Sequence, residues 1–132
     1  MSTVGDIMTT GLFSIDPSTT VAEAATVMGE RRIGSALVMD GDRLQGIFTE
    51  RDIVRALGEH FDAAGHPVSD WMTPDPMTVE PSTPVEEALS TMLDRNFRHL
   101  PVVEGERILG IVSMRDLTAA GVSAPQPPTA EP

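Results

Sequence analysis

The 132-residue sequence contains no cysteine, no lysine and no tyrosine, a single tryptophan and only 4% aromatic residues. Without cysteine there is neither a disulfide nor a thiolate zinc site. Without lysine there is no Schiff base, no lysine general base and no GxxxxGK[ST] phosphate loop. His60, His66 and His99 lack the spacing that would build a metal-binding face, so no metal site is expected. No window approaches eighteen apolar residues, and the N-terminus lacks the basic, apolar, small-residue order of a signal peptide, so the expected address is the cytoplasm, with no membrane contact. Twenty acidic residues against nine basic ones, all arginine, give a net charge of −11, which repels a phosphate backbone and argues against nucleic acid. What is present is ordinary for a globular chain: 40% hydrophobic and 22% charged residues, enough to bury a real core.

The chain is one unit written twice. At an offset of 64, Val4 falls on Val68, Asp6 on Asp70, Met8-Thr9 on Met72-Thr73, Pro17-Ser18-Thr19 on Pro81-Ser82-Thr83, and Val21, Ala24 and Met28 on Val85, Ala88 and Met92. The register holds without a gap through Val38/Val102, Gly41/Gly105, Gly46-Ile47/Gly110-Ile111 and Arg51-Asp52/Arg115-Asp116. Roughly twenty of about fifty-five aligned positions are identical, which is the signature of an internal repeat. The boundaries read as repeat 1 over 1–60, a linker over 61–67, repeat 2 over 68–121 and a disordered Pro/Ala-rich tail over 122–132.

Each copy reads as strand, helix, hairpin, helix. Phe13-Ser14-Ile15 and Met77-Thr78-Val79 are short alternating runs ending at Pro17 and Pro81. Thr19 and Thr83 are expected to cap the helices that follow, with Pro84 as the first helical residue and Glu86 completing a capping box. Val21, Ala24, Ala25 and Met28, and likewise Val85, Ala88, Leu89 and Met92, repeat at i, i+3, i+4, i+7 and form apolar stripes. Ser35 to Met39 with Arg43 to Phe48, and Leu100 to Val103 with Arg107 to Val112, predict hairpins closed by glycine-bearing turns. Final helices are expected over Glu50 to Leu57 and Met114 to Ala120. Neither copy alone can bury its apolar faces, so the two are expected to pack about a pseudo-two-fold axis and leave two clefts between them. The fold class is α+β.

The segment with most chemical content is Gly46-Ile47-Phe48-Thr49-Glu50-Arg51-Asp52, repeated as Gly110-Ile111-Val112-Ser113-Met114-Arg115-Asp116. It is a strand-to-helix junction. There the first N–H groups lack intrahelical partners, the macrodipole is positive and a hydroxyl sits at the cap, which suits an anion. The arginine adds positive charge, and the aspartate can accept hydrogen bonds from both hydroxyls of a ribose. Simple capping accounts for the same hydroxyl and carboxylate, since both also satisfy orphan backbone donors. Trp71 reads as a packing anchor, His99 equally as an edge residue or a ligand contact, and of the methionines Met77 and Met114 lie nearest a cleft.

From residue 4 to 121 the sequence resembles a tandem pair of cystathionine-β-synthase (CBS) domains, a Bateman module. The resemblance rests on the Val-x-Asp-x-Met-Thr opening of each copy, the Pro-Ser-Thr turn, Arg98-His99-Leu100-Pro101-Val102 and the closing Gly-h-h-[Thr/Ser]-x-Arg-Asp. It implies β-α-β-β-α repeats, a homodimer, and adenine nucleotides or related adenosyl ligands bound in the clefts between repeats. It implies that Asp52 and Asp116 hold ribose and that Thr49 and Ser113 face phosphate. One site would join Thr49, Arg51 and Asp52 to Met77, Thr78, Arg98, His99, Leu100 and Pro101. The other would join Ser113, Arg115 and Asp116 to Ser14, Ile15, Gly34, Ser35, Ala36 and Leu37. Arg98 and His99 then make the first site the better one for phosphorylated adenosine. The expectation is a free-standing, non-enzymatic regulatory module that senses AMP, ADP, ATP, NAD or S-adenosylmethionine, with or without Mg²⁺, and acts on a protein the sequence does not name. The alternative is a ligand-free dimerisation or scaffold module.

Overall fold

The computed structural model describes residues 2–123. In chain order the elements are α1 (Val4–Ile7), β1 (Ser14–Ile15), α2 (Val21–Arg31), β2 (Ser35–Asp40), β3 (Arg43–Thr49), α3 (Glu50–Glu59), two 3₁₀ turns (Ala63–Gly65 and Val68–Asp70), β4 (Thr73–Pro74), α4 (Val85–Arg95), β5 (His99–Glu104), β6 (Arg107–Ser113) and α5 (Met114–Ala119). They form two compact units, Leu12–Pro76 and the residues up to Gly11 together with those from Met77 onward.

The unit Leu12–Pro76 is built on a sheet of order β1-β2-β3-β4, in which β1 runs parallel to β2 and the other pairs are antiparallel. The β2–β3 hairpin closes through Gly41 at φ +62, a left-handed position that a two-residue turn assigns to glycine. Helix α2 starts at Thr20, whose Oγ1 accepts from the Glu23 N–H at 3.1 Å while Glu23 Oε1 accepts from the Thr20 N–H at 3.1 Å. Its apolar stripe of Val21, Ala24 and Met28 packs on Val38, Phe48 and Trp71 in one buried cluster. The second unit repeats this plan around the β5–β6 hairpin, with Gly105 at φ +63 in its turn. Val85, Ala88, Leu89 and Met92 of α4 meet Leu100, Val102, Val112 and Leu117.

Local capping differs from the sequence expectation by one residue. The N-caps are Thr20 and Pro84 rather than Thr19 and Thr83, and the capping box belongs to the first copy, through Glu23, rather than to the second through Glu86. Pro84 is still extended (ψ 141), and Thr83 lies before the helix, its carbonyl accepting from the Val4 N–H at 2.9 Å. The expected strand at Met77 to Val79 is reduced to one parallel bridge, Val79 with Val102. Trp71 is buried in the core, as a packing anchor should be.

The sequence repeats and the compact units are offset from one another. Thr9 exchanges two backbone hydrogen bonds with Ile111 (2.9 and 3.0 Å), and the Gly5 N–H donates to the Pro81 carbonyl at 3.0 Å. Residues 2–11, the opening of the first copy, thereby complete the unit of the second. The opening segment of the second copy completes the unit of the first in the same way, with Thr73 opposite Ile47 and Pro74 opposite Gly46. Residues 61–67, expected as a linker, carry a 3₁₀ turn with Ala63 fully buried, and the His66 carbonyl accepts from the Val21 N–H at 2.9 Å. Of the expected tail, Val122 packs against the core and donates its N–H to Leu117 at 3.0 Å, while residues 124–132 lie outside the described residues.

Two glycines permit these close approaches. A Cβ on Gly46 would lie 2.6 Å from Met72 Sδ and 2.7 Å from the Thr73 carbonyl oxygen. On Gly110 it would lie 2.7 Å from the Thr9 carbonyl oxygen and 2.8 Å from Met8 Sδ. Gly46→Ala or Gly110→Ala should therefore destabilise by about 1–3 kcal/mol, the usual cost of overpacking. Gly58→Ala, on α3 with open space around it, should stabilise by about 0.5–1 kcal/mol. Chemical denaturation of the three variants checks the contrast, and an unchanged Gly46→Ala midpoint would contradict it.

Candidate functional site

Both strand-to-helix junctions form as the sequence spacing requires. Thr49 is the N-cap of α3 in extended conformation, and its N–H donates to Asp52 Oδ2 at 2.9 Å. Ser113 is the N-cap of α5, and its N–H donates to Asp116 Oδ2 at 2.9 Å. The carboxylate at the third helical position thus turns back over the helix start, satisfying one orphan donor and bringing negative charge to the positive end of the dipole. The hydroxyls differ. Ser113 Oγ accepts from the Asp116 N–H at 3.0 Å, which leaves its own proton for a ligand, whereas Thr49 Oγ1 donates to Asp52 Oδ2 at 3.2 Å.

The two carboxylates also differ in setting. Asp52 is 6% exposed and the one buried charged residue among the described residues, while Asp116 is half-buried. Burial pushes the Asp52 carboxyl above its ordinary value, and the Thr49 hydrogen bonds and the charges of Arg55 and Arg51 pull against it. Arg55 lies one helical turn further along. Its Nη2 is 3.4 Å from Asp52 Oδ1 and donates to the Trp71 carbonyl at 2.6 Å, with the guanidinium carbon 5.6 Å from the Trp71 ring centroid. His60 and His66 flank the same indole at 5.7 and 6.2 Å between centroids, and the indole Nε1 is buried with no hydrogen-bond partner among the described residues. The sequence reading passed over Arg55. Its i, i+3 spacing from Asp52 was the available signal, but the contact with Trp71 spans sixteen residues and no local pattern marks it.

Within each unit the hairpin brings the neighbouring candidates to the junction. In Leu12–Pro76, Ser35 pairs with Thr49 and Ala36 with Phe48, the Glu50 N–H donates to the Gly34 carbonyl at 3.1 Å, and Ser14 and Ile15 pair with Leu37 and Val38. A Cβ on Gly34 would lie 2.9 Å from Glu50 Oε1, so an acidic side chain covers this strand start. In the other unit His99 pairs with Ser113, Leu100 with Val112 and Pro101 with Ile111, and the Met114 N–H donates to the Arg98 carbonyl at 2.8 Å. Arg51, Arg98 and Arg115 are exposed, and Met77 and Met114 are partly buried against the core. Thr78 is exposed beside Val79, whose N–H donates to the Pro101 carbonyl at 3.0 Å. Arg98 and His99 are thus held beside Ser113, and Gly34 and Ser35 beside Thr49. The groupings that the family resemblance implies draw on both units.

Comparison with known proteins agrees with the repeat. The CBS domain family profile matches twice, over residues 4–59 and 68–123. The chain belongs to the CBS domain family as a tandem pair. An uncharacterised 17.7 kDa protein of Acidianus ambivalens is 43% identical over 120 residues, covering 89% of this chain and 71% of that protein. Among solved structures, CBSX2 of Arabidopsis thaliana in complex with AMP superposes with a TM-score of 0.78 at 31% identity, covering 92% of this chain and 96% of that one. The CBS pair of MJ0100 in complex with 5′-methylthioadenosine and S-adenosyl-L-methionine gives a TM-score of 0.83 at 25% identity, covering 92% and 96%. Among the described residues no helix is long and apolar enough to cross a membrane, and no cluster of three metal-ligating side chains is found.

The raised Asp52 pKa fixes the sign of a pH effect. Folding favours the protonated form, so this group's contribution is fully present below 3.8, its ordinary value, and is lost as pH rises through the higher folded-state value. Wild type should therefore gain stability relative to Asp52→Asn as pH falls through that window, in urea titrations of both proteins. A wild type that loses ground to the variant on acidification would show that hydrogen bonding, not desolvation, dominates at Asp52.

Proposed function

We propose that this CBS pair is a non-catalytic regulatory module that binds an adenosyl ligand, with an adenine nucleotide as the favoured class. The observation that carries the reading is the duplicated junction, in which a hydroxyl, an exposed arginine and an inward-turned carboxylate surround a helix start. A ribose presents two hydroxyl donors to a carboxylate, and a phosphate suits the positive end of the helix dipole and the arginine. Two CBS pairs of the same fold bind such molecules, AMP in one and 5′-methylthioadenosine with S-adenosyl-L-methionine in the other. Thr49, Arg51 and Asp52 hold one ligand and Ser113, Arg115 and Asp116 the other, with the strand residues around Ser14, Ala36, Met77 and Leu100 lining the base. Asp52 belongs to the stronger site for phosphorylated adenosine. Cytoplasmic residence and an unidentified regulated protein complete the reading.

Melting curves with AMP, ADP, ATP, NAD and S-adenosylmethionine, each with and without Mg²⁺, test it. Ligand at a hundred times its dissociation constant should stabilise by about 2.7 kcal/mol, a shift of several degrees. Asp52→Asn keeps an acceptor for the Thr49 N–H but loses the charge, and it should abolish most of the shift, whereas Asp116→Asn should leave most of it. The reverse pattern would overturn the ranking of the sites. No shift with any of the five would favour a scaffold that works with empty clefts.

The homodimer belongs to the same proposal. Val54 is 72% exposed and Phe61 96%, with Leu57 half-exposed between them, an apolar face along α3 and just past its end. Such a face is stabilised by covering it. Phe61→Asp should lower the mass seen by sedimentation from dimer to monomer without changing the far-ultraviolet circular dichroism, and a wild type that sediments as a monomer would refute the dimer.

A further inference from the structure

Arg55 links the Asp52 carboxylate to the opening segment of the second copy. It approaches Asp52 Oδ1 at 3.4 Å, opposite the oxygen that Thr49 uses, and its donation to the Trp71 carbonyl at 2.6 Å fixes the guanidinium from the other side. The indole face beneath it adds a cation–π contact at 5.6 Å. At the repeat offset, Arg55 corresponds to Ala119 and Trp71 to Ile7, so the second copy has neither half of this arrangement. Asp116 keeps its Ser113 bonds and has no arginine at the equivalent place.

We infer that Arg55 is a positioning residue for Asp52, holding the carboxylate plane through Oδ1 while anchored on Trp71, and that this support distinguishes the diol-binding carboxylate of the first copy from that of the second. The inference rests on the adenosyl-binding reading for its consequence, though not for its geometry. A carboxylate that must accept two ribose hydroxyls needs both oxygens in a fixed plane. With Oδ2 held by Thr49 alone, the group can rotate about its Cβ–Cγ bond. Arg55 removes that freedom and also supplies positive charge where burial disfavours the anion. The charged and titratable groups around the pair are Arg51 on the same helix and His60, His66 and Asp62 around Trp71, with His66 Nε2 3.6 Å from Asp62 Oδ1.

Two measurements on the full chain separate positioning from packing. The first follows the Asp52 side-chain carboxyl by carbon-13 NMR across a pH titration of ligand-free wild type, Arg55→Gln and Arg55→Lys. The midpoint should rise in Arg55→Gln and return most of the way in Arg55→Lys, which restores the charge. The second measures AMP affinity by calorimetry. Both variants should bind about three- to tenfold more weakly, because a half-exposed partner is partly screened and lysine lacks the planar fork. An Asp52 midpoint that stays put in a folded Arg55→Gln protein, as judged by circular dichroism, would overturn the inference. If wild type binds no AMP while the midpoint still moves, the positioning role stands and the nucleotide reading fails.

Discussion

Everything in the candidate site depends on how the N–H groups at the start of α3 and α5, which lack intrahelical acceptors, are satisfied. A helix that begins directly at a strand end leaves these donors facing the space beyond the sheet, and the chain answers with a short side chain at the cap and a carboxylate three residues on. That answer makes the helix start at one residue and no other. It also fixes a carboxylate oxygen beside a positive dipole end, which is the arrangement a polyhydroxylated anion needs. Capping thus fixes this geometry, and the hydrogen bonds of Thr49 with Asp52 and of Ser113 with Asp116 hold it.

The second constraint is steric. Gly46 and Gly110 lie on strands whose next neighbour is the opening segment of the opposite copy, and the backbone of that segment comes within 2.7 Å of where a Cβ would be. Any side chain there would push Thr73 or Thr9 off the sheet. The duplicated glycine, the methionine that lies over it and the threonine that pairs beside it, Met72-Thr73 and Met8-Thr9, are thus one packing device rather than three separate resemblances. Each compact unit is completed by this device, and residues 2–11 are part of the fold because of it.

These two constraints explain what was legible in the sequence. The repeat, the helix stripes, the hairpins and the Thr49/Asp52 and Ser113/Asp116 caps are set by spacing within a few residues, and spacing is what a sequence displays. The exchange of opening segments was not legible, because Val4-x-Asp6-x-Met8-Thr9 reads identically whichever unit it joins. The helix starts differ by one residue because Thr19-Thr20 and Thr83-Pro84 each offer two candidate caps, and in the structure the Thr19 and Thr83 carbonyls instead accept from the Val68 and Val4 N–H groups. Arg55 escaped notice for the same kind of reason. On α3 it reads as one more arginine on a charged helix, and only the position of the Trp71 carbonyl gives it a fixed place.

The remaining difference between the two junctions is electrostatic, and it follows from what surrounds each carboxylate. Asp52 is buried and so carries a desolvation penalty that its hydrogen bonds and two arginines only partly offset. A ligand that donates hydroxyls to it would offset that penalty through the new bonds themselves. Asp116 is better hydrated, and a ligand there must displace water to make the same bonds. Two sites with the same motif can then differ in affinity without any change in the residues that touch the ligand. The duplicated sequence supplies the common chemistry, and unequal burial and unequal support separate the two copies.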